Sequence, residues 1–163
     1  MAGQKAGQTE EHTAGHVAGD ARTGPFWDFV AGRVDPPPAA ALLGFELVAV
    51  DPAAGTIEVG FTATDQFRNP VGDVQGGILG AMLDDTLGPC LAATLGPEQW
   101  APTLELHTQF LAPARVGRLV GRARVVKRGK AVAFLAGELA QDGVVVATAT
   151  ATALIRGRPR IHD

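Results

Sequence analysis

The stretch "NPVGDVQGGILGAMLDD", residues 69–85, contains the side chains whose types and spacing could do chemistry. Asp84 and Asp85 stand in an otherwise apolar run, and burying an ionised carboxylate without partners costs several kcal/mol. They therefore lie at a subunit boundary or cleft, or they bind buried donors. A buried, activated carboxylate is what a general base or a nucleophile requires. Helical phase leaves open which of the two is used, because they fall on opposite flanks of the apolar stripe.

Hydrogen-bond donors precede these acids in the same stretch. Gly76 and Gly77 stand where a helix is predicted to begin, and the free N–H groups and dipole of a helix start attract negative charge. The glycines alone favour a plain turn into the helix. Asn69 precedes Pro70, so its side chain either bonds its own turn or directs an amide donor toward the Gly76 N–H. Two donors at one spot would form an oxyanion hole.

The apolar pattern predicts the elements that position these residues. Apolar residues recur every three or four positions from Gly76 to Leu95, which indicates one long, largely buried helix. Before it, a short helix begins at Pro25, and two strands are predicted at residues 41–51 and 55–64. Four strands in an antiparallel meander follow, the last two joined by a tight turn at Asp142 and Gly143. The chain is therefore predicted to be α+β, with one curved antiparallel sheet covered by one helix.

Composition limits the other possibilities. The chain of 163 residues is long enough for one domain, predicted over residues 24–163. Residues 1–23 are too poor in large apolar groups to offset the cost of ordering and are predicted to be a disordered tail. The net charge of −3 argues against nucleic acid or an anionic membrane as partner. No apolar run has the length of a signal or a membrane span, so a cytoplasmic location is expected.

Two further features suggest chemistry less strongly. His12 and His16 have a metal-binding spacing, but the Gly and Ala around them disfavour a fixed helix, so no metal site is predicted. Cys90 is the single cysteine and is predicted to be a small buried core residue.

A cluster of cations follows later in the chain. Its members share one strand face and the next turn: Arg118, Arg122, Arg124, Lys127, Arg128 and Lys130. Any one of these cations could simply be a solvent-exposed residue of a strand face, without a function. As a group on an acidic protein they form a local positive patch of a kind that binds phosphate groups.

From about Pro37 to Ile155 the chain resembles the hotdog-fold acyl-CoA thioesterases of the phenylacetate-degradation type, which are similar to 4-hydroxybenzoyl-CoA thioesterases. The resemblance lies in Asn69, six residues, Gly76-Gly77, then Asp84 seven residues later, followed by "FLAPARVG" and "VVKRGKAVAF". It implies the hotdog fold, a curved antiparallel sheet wrapped around one long central helix. It also implies a hydrolase that converts an acyl-CoA to a free acid and coenzyme A, with coenzyme A as part of the substrate and no separate cofactor.

The resemblance also implies residue roles. The amide of Asn69 and the N–H of Gly76 would hold the thioester oxygen, Asp84 of the facing subunit would act as nucleophile or general base, and Thr103 would place the water. Asp85 would then be a neighbour with a structural role. Because acid and donors belong to different subunits in this family, a homodimer is implied, often paired into a homotetramer.

The residues expected to bind substrate or coenzyme A are Gly77, Arg124, Lys127, Arg128 and Lys130. Many relatives have His where this chain has Gln75, whose amide can still hydrogen-bond the substrate. The alternative is a non-catalytic acyl-CoA-binding hotdog module, which would keep the donors and the cations but would not need Asp84.

Overall fold

The computed structural model describes residues 22–158. Its main element is a six-stranded antiparallel sheet in the order β1-β2-β5-β6-β7-β4. The strands are β1 Glu46–Asp51, β2 Thr56–Ala63, β4 Thr103–Phe110, β5 Gly117–Arg128, β6 Val132–Gln141 and β7 Val144–Leu154. A separate two-stranded pair joins β3 (Gln99–Trp100) to β8 (Arg156–Gly157). The predicted turn is confirmed: Asp142 and Gly143 both have positive φ, as a tight hairpin requires.

The long helix α3 spans Gly76–Ala92 and packs on one face of the sheet. The face of α3 that packs on the sheet contributes fully buried side chains to the core, among them Met82, Leu83, Leu87 and Leu91. The sheet approaches α3 closely because small residues face it. Alanines 147, 149, 151 and 153 of β7 are all buried, and a Cβ added at Gly121 of β5 would collide with the Thr86 hydroxyl and with Val59. These small residues let the curved sheet close around the helix.

Three details differ from the prediction. Residues predicted as the start of the first strand form a helix, α2 (Pro38–Leu43), because Pro38 suits a first turn and Gly44 ends the helix in the left-handed conformation. The helix α3 ends at Ala92, three residues before the predicted Leu95. The last four strands are not one meander, since β4 pairs with β7 at the far edge and only β5, β6 and β7 are consecutive.

The short helix α1, Pro25–Val30, begins at the predicted proline. Its ring contacts tie it to the sheet: Phe29 meets Phe45 edge to face at 5.8 Å, and Phe45 meets Phe61 of β2 at 5.9 Å. Among residues 22–158, no helix is long and apolar enough to cross a membrane. The predicted tail and its histidines, His12 and His16, lie outside the described residues except for residues 22 and 23.

Candidate active site

The loop before α3 is shaped by Asn69. Its Oδ1 accepts hydrogen bonds from the backbone N–H groups of Val71 (3.0 Å) and Asp73 (3.1 Å). The local turn role that was open in the sequence is therefore present. The amide nitrogen of the same side chain donates no hydrogen bond to any residue of the 22–158 range, so the donor is available for a ligand.

The start of α3 provides further donors. Within the described chain, the N–H groups of Gly76 and Gly77 have no acceptor. Gln75 is the N-cap residue: its backbone N–H donates to the Phe67 carbonyl at 2.8 Å, and its exposed side chain contacts no described partner. The Phe110 ring lies against the helix start, 3.2 Å from where a Cβ on Gly76 would be. A glycine is therefore needed there to keep both the ring and the N–H in place.

Asp84 lies two turns farther along the helix and is bonded to a different element. Its Oδ1 accepts a hydrogen bond from the Thr103 hydroxyl at 2.9 Å, at the first residue of β4. Asp84 is exposed, so the pair meets the solvent. Since Thr103 gives its only proton to Asp84, its oxygen lone pairs remain free to accept a hydrogen bond from a water.

Asp85 is in a different environment from its neighbour. The side chain is half-buried, and its Oδ2 is buried with no hydrogen-bond partner within the described chain. Burial, with a smaller contribution from the Asp84 charge, raises the pKa of Asp85 to about 6. Pro89, four residues later, has no N–H to donate to the Asp85 backbone carbonyl. Asp85 thus has a buried carboxyl oxygen without a donor among the described residues, and its backbone carbonyl lacks the usual helix hydrogen bond from residue 89.

A cavity of about 520 Å³ opens beside these acids. Asp84, Asp85 and Thr103 line it, together with Gly88 of α3, and aromatic side chains of α1 and of the following loops form much of the remaining wall. None of Asn69, Gln75 and Gly76 lines it. Asp84 is eight residues after Gly76, about 12 Å along the helix axis. The structure thus brings Asp84 and Thr103 together, and it holds the predicted donors of the same chain at the other end of the helix.

The predicted cation cluster divides into two groups. Two arginines are paired with carboxylates, Arg118 with Glu46 and Arg122 with Glu58, each at 2.7 Å. Arg128 donates to the side-chain oxygen of Gln99, a residue of the cavity wall, at 3.1 Å.

The other cations, Arg124, Lys127 and Lys130, are exposed and form no ion pair with residues 22–158. A second, more open depression of about 590 Å³ lies along β1, β2, β5 and β6, with Arg122 and Arg124 among its lining residues. Its lining includes neither Asp84 nor Thr103.

The remaining candidates contribute no reactive group. Cys90 is 1% exposed and donates to the Gly55 carbonyl at 3.3 Å, and burial raises the pKa of its thiol to about 12. The prediction of a buried core cysteine is confirmed. In the described part of the chain, no group of three or more His, Cys, Asp or Glu side chains is arranged to hold a metal ion.

Known proteins show to which family the chain belongs. A family model described as the acyl-CoA thioesterase N-terminal domain matches residues 66–154. A phenylacetic acid degradation-related protein from Ralstonia eutropha JMP134 is 49% identical and has a TM-score of 0.78; the match covers 79% of this chain and 98% of that one. A search of curated protein sequences found no match.

More distant structures share the fold. A thioesterase family protein from Silicibacter pomeroyi is 26% identical, with a TM-score of 0.71 over 80% of this chain and 98% of that one. The Escherichia coli PaaI protein of the phenylacetic acid degradation operon is 22% identical, with a TM-score of 0.71 over 81% of this chain and 94% of that one.

The chain therefore belongs to the acyl-CoA thioesterase family and has the hotdog fold. The enzyme class predicted from the sequence, an acyl-CoA thioesterase, is confirmed by the same matches.

Proposed function

We propose that the protein hydrolyses an acyl-CoA thioester at a site completed by two copies of the chain. The observation that carries this proposal is a separation along α3: Asp84, which is bonded to Thr103, lies about 12 Å along the helix axis from Gly76, whose N–H has no acceptor among the described residues. Asn69 lies in the loop before that helix start. An acid and an oxyanion site must lie within a few ångströms of the same carbonyl to act on it. Two chains in opposite orientation would bring each acid to the other chain's donors.

The edge of the sheet supports a second copy. The strand β4 pairs only with β7 among the described strands, which leaves its outer backbone groups without a partner strand. Large apolar side chains on and beside it are exposed: Leu104 (62%), Phe110 (55%) and Leu111 (59%). An exposed apolar edge strand is a template for pairing with another chain. We assign the homodimer to this edge, and pairing of dimers into a tetramer stays a prediction.

The proposed reaction proceeds by acyl transfer to water. Thr103 donates to Asp84 and accepts from a water, which holds that water beside the carboxylate. Asp84 takes the water proton as the oxygen attacks the thioester carbon; direct attack by Asp84 is the alternative route to the same products. The negative oxygen is held by the partner subunit's Gly76 N–H and Asn69 amide. The carbon–sulfur bond then breaks, and the sulfur of coenzyme A receives the proton.

The remaining expected residues surround this centre. The exposed Gln75 amide can donate to the substrate carbonyl beside Gly76, and Gly77 leaves the helix start open. Arg124, Lys127, Arg128 and Lys130 would bind the phosphates of coenzyme A. Arg128 supports this assignment, because its bond to Gln99 links the cluster to the rim of the cavity. A cytoplasmic location fits a substrate of this kind.

Subunit complementation tests the shared site. Chains carrying Asp84→Asn and chains carrying Asn69→Asp are each expected to be nearly inactive in thiol release from an acyl-CoA panel. When the two are co-expressed with different tags and mixed dimers are isolated, one site per mixed dimer has both native residues. About half of the wild-type activity should return in that fraction, because the other site carries both lesions.

The matched control is a mixed dimer in which both substitutions lie on one chain and the other chain is native, where both sites carry one lesion. If that control is active and the first mixed dimer is not, the site lies within one chain. A wild-type protein that binds acyl-CoA without releasing thiol would instead support the non-catalytic binding module.

A further inference from the structure

The cavity beside Asp84 is enclosed by an element that lies outside the matched family region. The helix α1 spans Pro25–Val30, whereas the family model begins at residue 66. Three of its aromatic side chains, Phe26, Trp27 and Phe29, line the cavity opposite α3. Trp27 is 9% exposed, and Phe29 is held by its ring contact with Phe45. The wall is therefore packed against the core.

We infer that this cavity is the acyl pocket and that α1 with Gly88 sets which acyl groups fit. The inference rests on the proposed hydrolysis, since Asp84 and Thr103 line the same cavity and define where the thioester carbon would lie. A volume of about 520 Å³ is in the range of pockets that enclose whole small ligands, so it far exceeds the need of an acetyl group.

The chemistry of the lining selects the class of acyl group. Besides the aromatic rings of α1, the described lining includes Phe45, Pro89 and Trp100, and among residues 22–158 no Lys, Arg or His lines it. The ionisable side chains among those lining residues are the two aspartates. An acyl group ending in a carboxylate would meet like charge and apolar rings there, because Arg128, bonded to Gln99, lies at the rim, where the phosphates of coenzyme A would bind. The pocket therefore fits an uncharged, apolar acyl group larger than acetyl, aliphatic or aromatic.

Gly88 is the position at which the pocket can be filled without damage to the fold. It lines the cavity, and a Cβ built on it has no atom within 4 Å. Leucine there would project into open space, and leucine is more favourable than glycine inside a helix. Gly157 of β8 also has open space at its Cβ, and it lies outside both the cavity lining and α3. The comparison of Gly88→Leu with Gly157→Leu therefore separates filling of the cavity from the addition of a leucine elsewhere.

The test measures kcat/KM for acetyl-, octanoyl-, benzoyl- and succinyl-CoA by thiol release. The wild-type enzyme should prefer octanoyl- and benzoyl-CoA to acetyl- and succinyl-CoA. Gly88→Leu should lower the octanoyl-to-acetyl ratio by at least about tenfold, since a hydrophobic pocket discriminates by that much for one or a few methylenes. Gly157→Leu should leave the ratio unchanged. Phe29→Ala should raise kcat/KM for dodecanoyl-CoA, measured in addition for this variant and the wild type, relative to that for octanoyl-CoA.

An unchanged ratio in Gly88→Leu, an equal change in Gly157→Leu, or a preference for succinyl-CoA would overturn the pocket assignment while the hydrolysis proposal stands. A wild-type protein inactive on all four substrates would overturn the hydrolysis proposal instead. In that case calorimetry with a non-hydrolysable octanoyl-CoA thioether still tests the pocket: Gly88→Leu should weaken binding at least about tenfold, and Gly88→Ala should weaken it less.

Discussion

The two ends of α3 present opposite chemistry to a ligand. At Gly76 the helix offers backbone N–H groups without acceptors among residues 22–158, and the loop before it contains the Asn69 amide, which donates to none of those residues. At Asp84 and Asp85 it offers carboxylate oxygens, one of them bonded to Thr103 and one buried without a hydrogen-bond partner in the described part of the chain. Donors suit a developing oxyanion, and acids suit proton removal from water. In the proposed function one helix therefore contributes both halves of a hydrolytic site, which are too far apart to act on one carbonyl within a single chain.

Substitution of Asp84, at the acidic end of α3, should cause the largest fall in kcat. Asp84→Asn keeps the shape and the Thr103 contact but removes the base, so kcat should fall by about 10² to 10⁴. Thiol release under saturating acyl-CoA measures it. Asp85→Asn is the matched control and should change kcat by less than about tenfold, because Asp85 has no bond to Thr103. If the two variants exchanged these results, Asp85 would be the functional carboxylate.

Substitution of Asn69, beside the donor end of α3, should cause the next largest fall in kcat. Asn69→Asp keeps the Oδ1 acceptor that bonds Val71 and Asp73 but removes the amide donor, so kcat should fall by about 10² to 10³ at nearly native thermal stability. Asn69→Ala removes both functions and should also lower the free energy of unfolding by about 1 kcal/mol. If the Asn69→Asp enzyme folds and keeps full activity, the role of Asn69 is only to stabilise its turn.

A finer comparison lies within the helix start itself. Gly76→Ala places a methyl group 3.2 Å from the Phe110 ring, so the ring and the adjacent N–H must shift by tenths of an ångström. The kcat should fall up to about tenfold. Gly77→Ala meets no atom of its own chain within 4 Å, so it should lose less kcat than Gly76→Ala does, through narrower access to the helix start alone. The double variant Gly76→Ala with Phe110→Leu should recover part of the loss; equal losses at both glycines, or no recovery, would mean that the Phe110 contact is not the cause.

The smallest expected effect is a change in the free energy of unfolding with pH, caused by Asp85. The folded-state pKa of Asp85 is about 6 against 3.8 for a free aspartate, so between these values the folded chain binds more protons than the unfolded one. Its contribution to stability is therefore present below about pH 4 and lost as the pH rises through about 6. Two pKa units correspond to about 3 kcal/mol, which the partial exposure of Asp85 reduces to roughly 2 kcal/mol.

Asp85→Asn should consequently be more stable than wild type by that amount at about pH 8 and equal to it at about pH 4. Urea unfolding at both pH values, at one protein concentration, measures the difference. A stabilisation of the same size at both pH values would mean that packing, and not the charge, is responsible.

The donor end of α3 was largely predictable from sequence, because its signals are local. Gly76 and Gly77 marked the helix start, and Asn69 before Pro70 marked the turn that the structure contains. The long helix and the hairpin at Asp142 and Gly143 follow the same rule. Such features depend on residues close together in the chain, where spacing is informative.

The acidic end depends on contacts that spacing cannot reveal. Helical phase placed Asp84 and Asp85 on opposite flanks, yet both line one cavity, because α1 and the segment before β4 close over that side of the helix. Pro25 predicted the start of α1 without indicating which elements the helix would contact. The pairing of β4 with β7 was missed for a similar reason, since strand order is set by packing between distant segments.

The cavity wall contains fluorescent side chains. The chain has two tryptophans and no tyrosine, and Trp27 and Trp100 both border this cavity. One is 9% exposed and the other 47%, so their emission should differ in colour, blue-shifted for Trp27 and red-shifted for Trp100. Nearly all the intrinsic fluorescence of the protein thus originates at one place. If the cavity is the acyl pocket, binding of an acyl group and release of the acid should change this emission and can be followed in real time without a label.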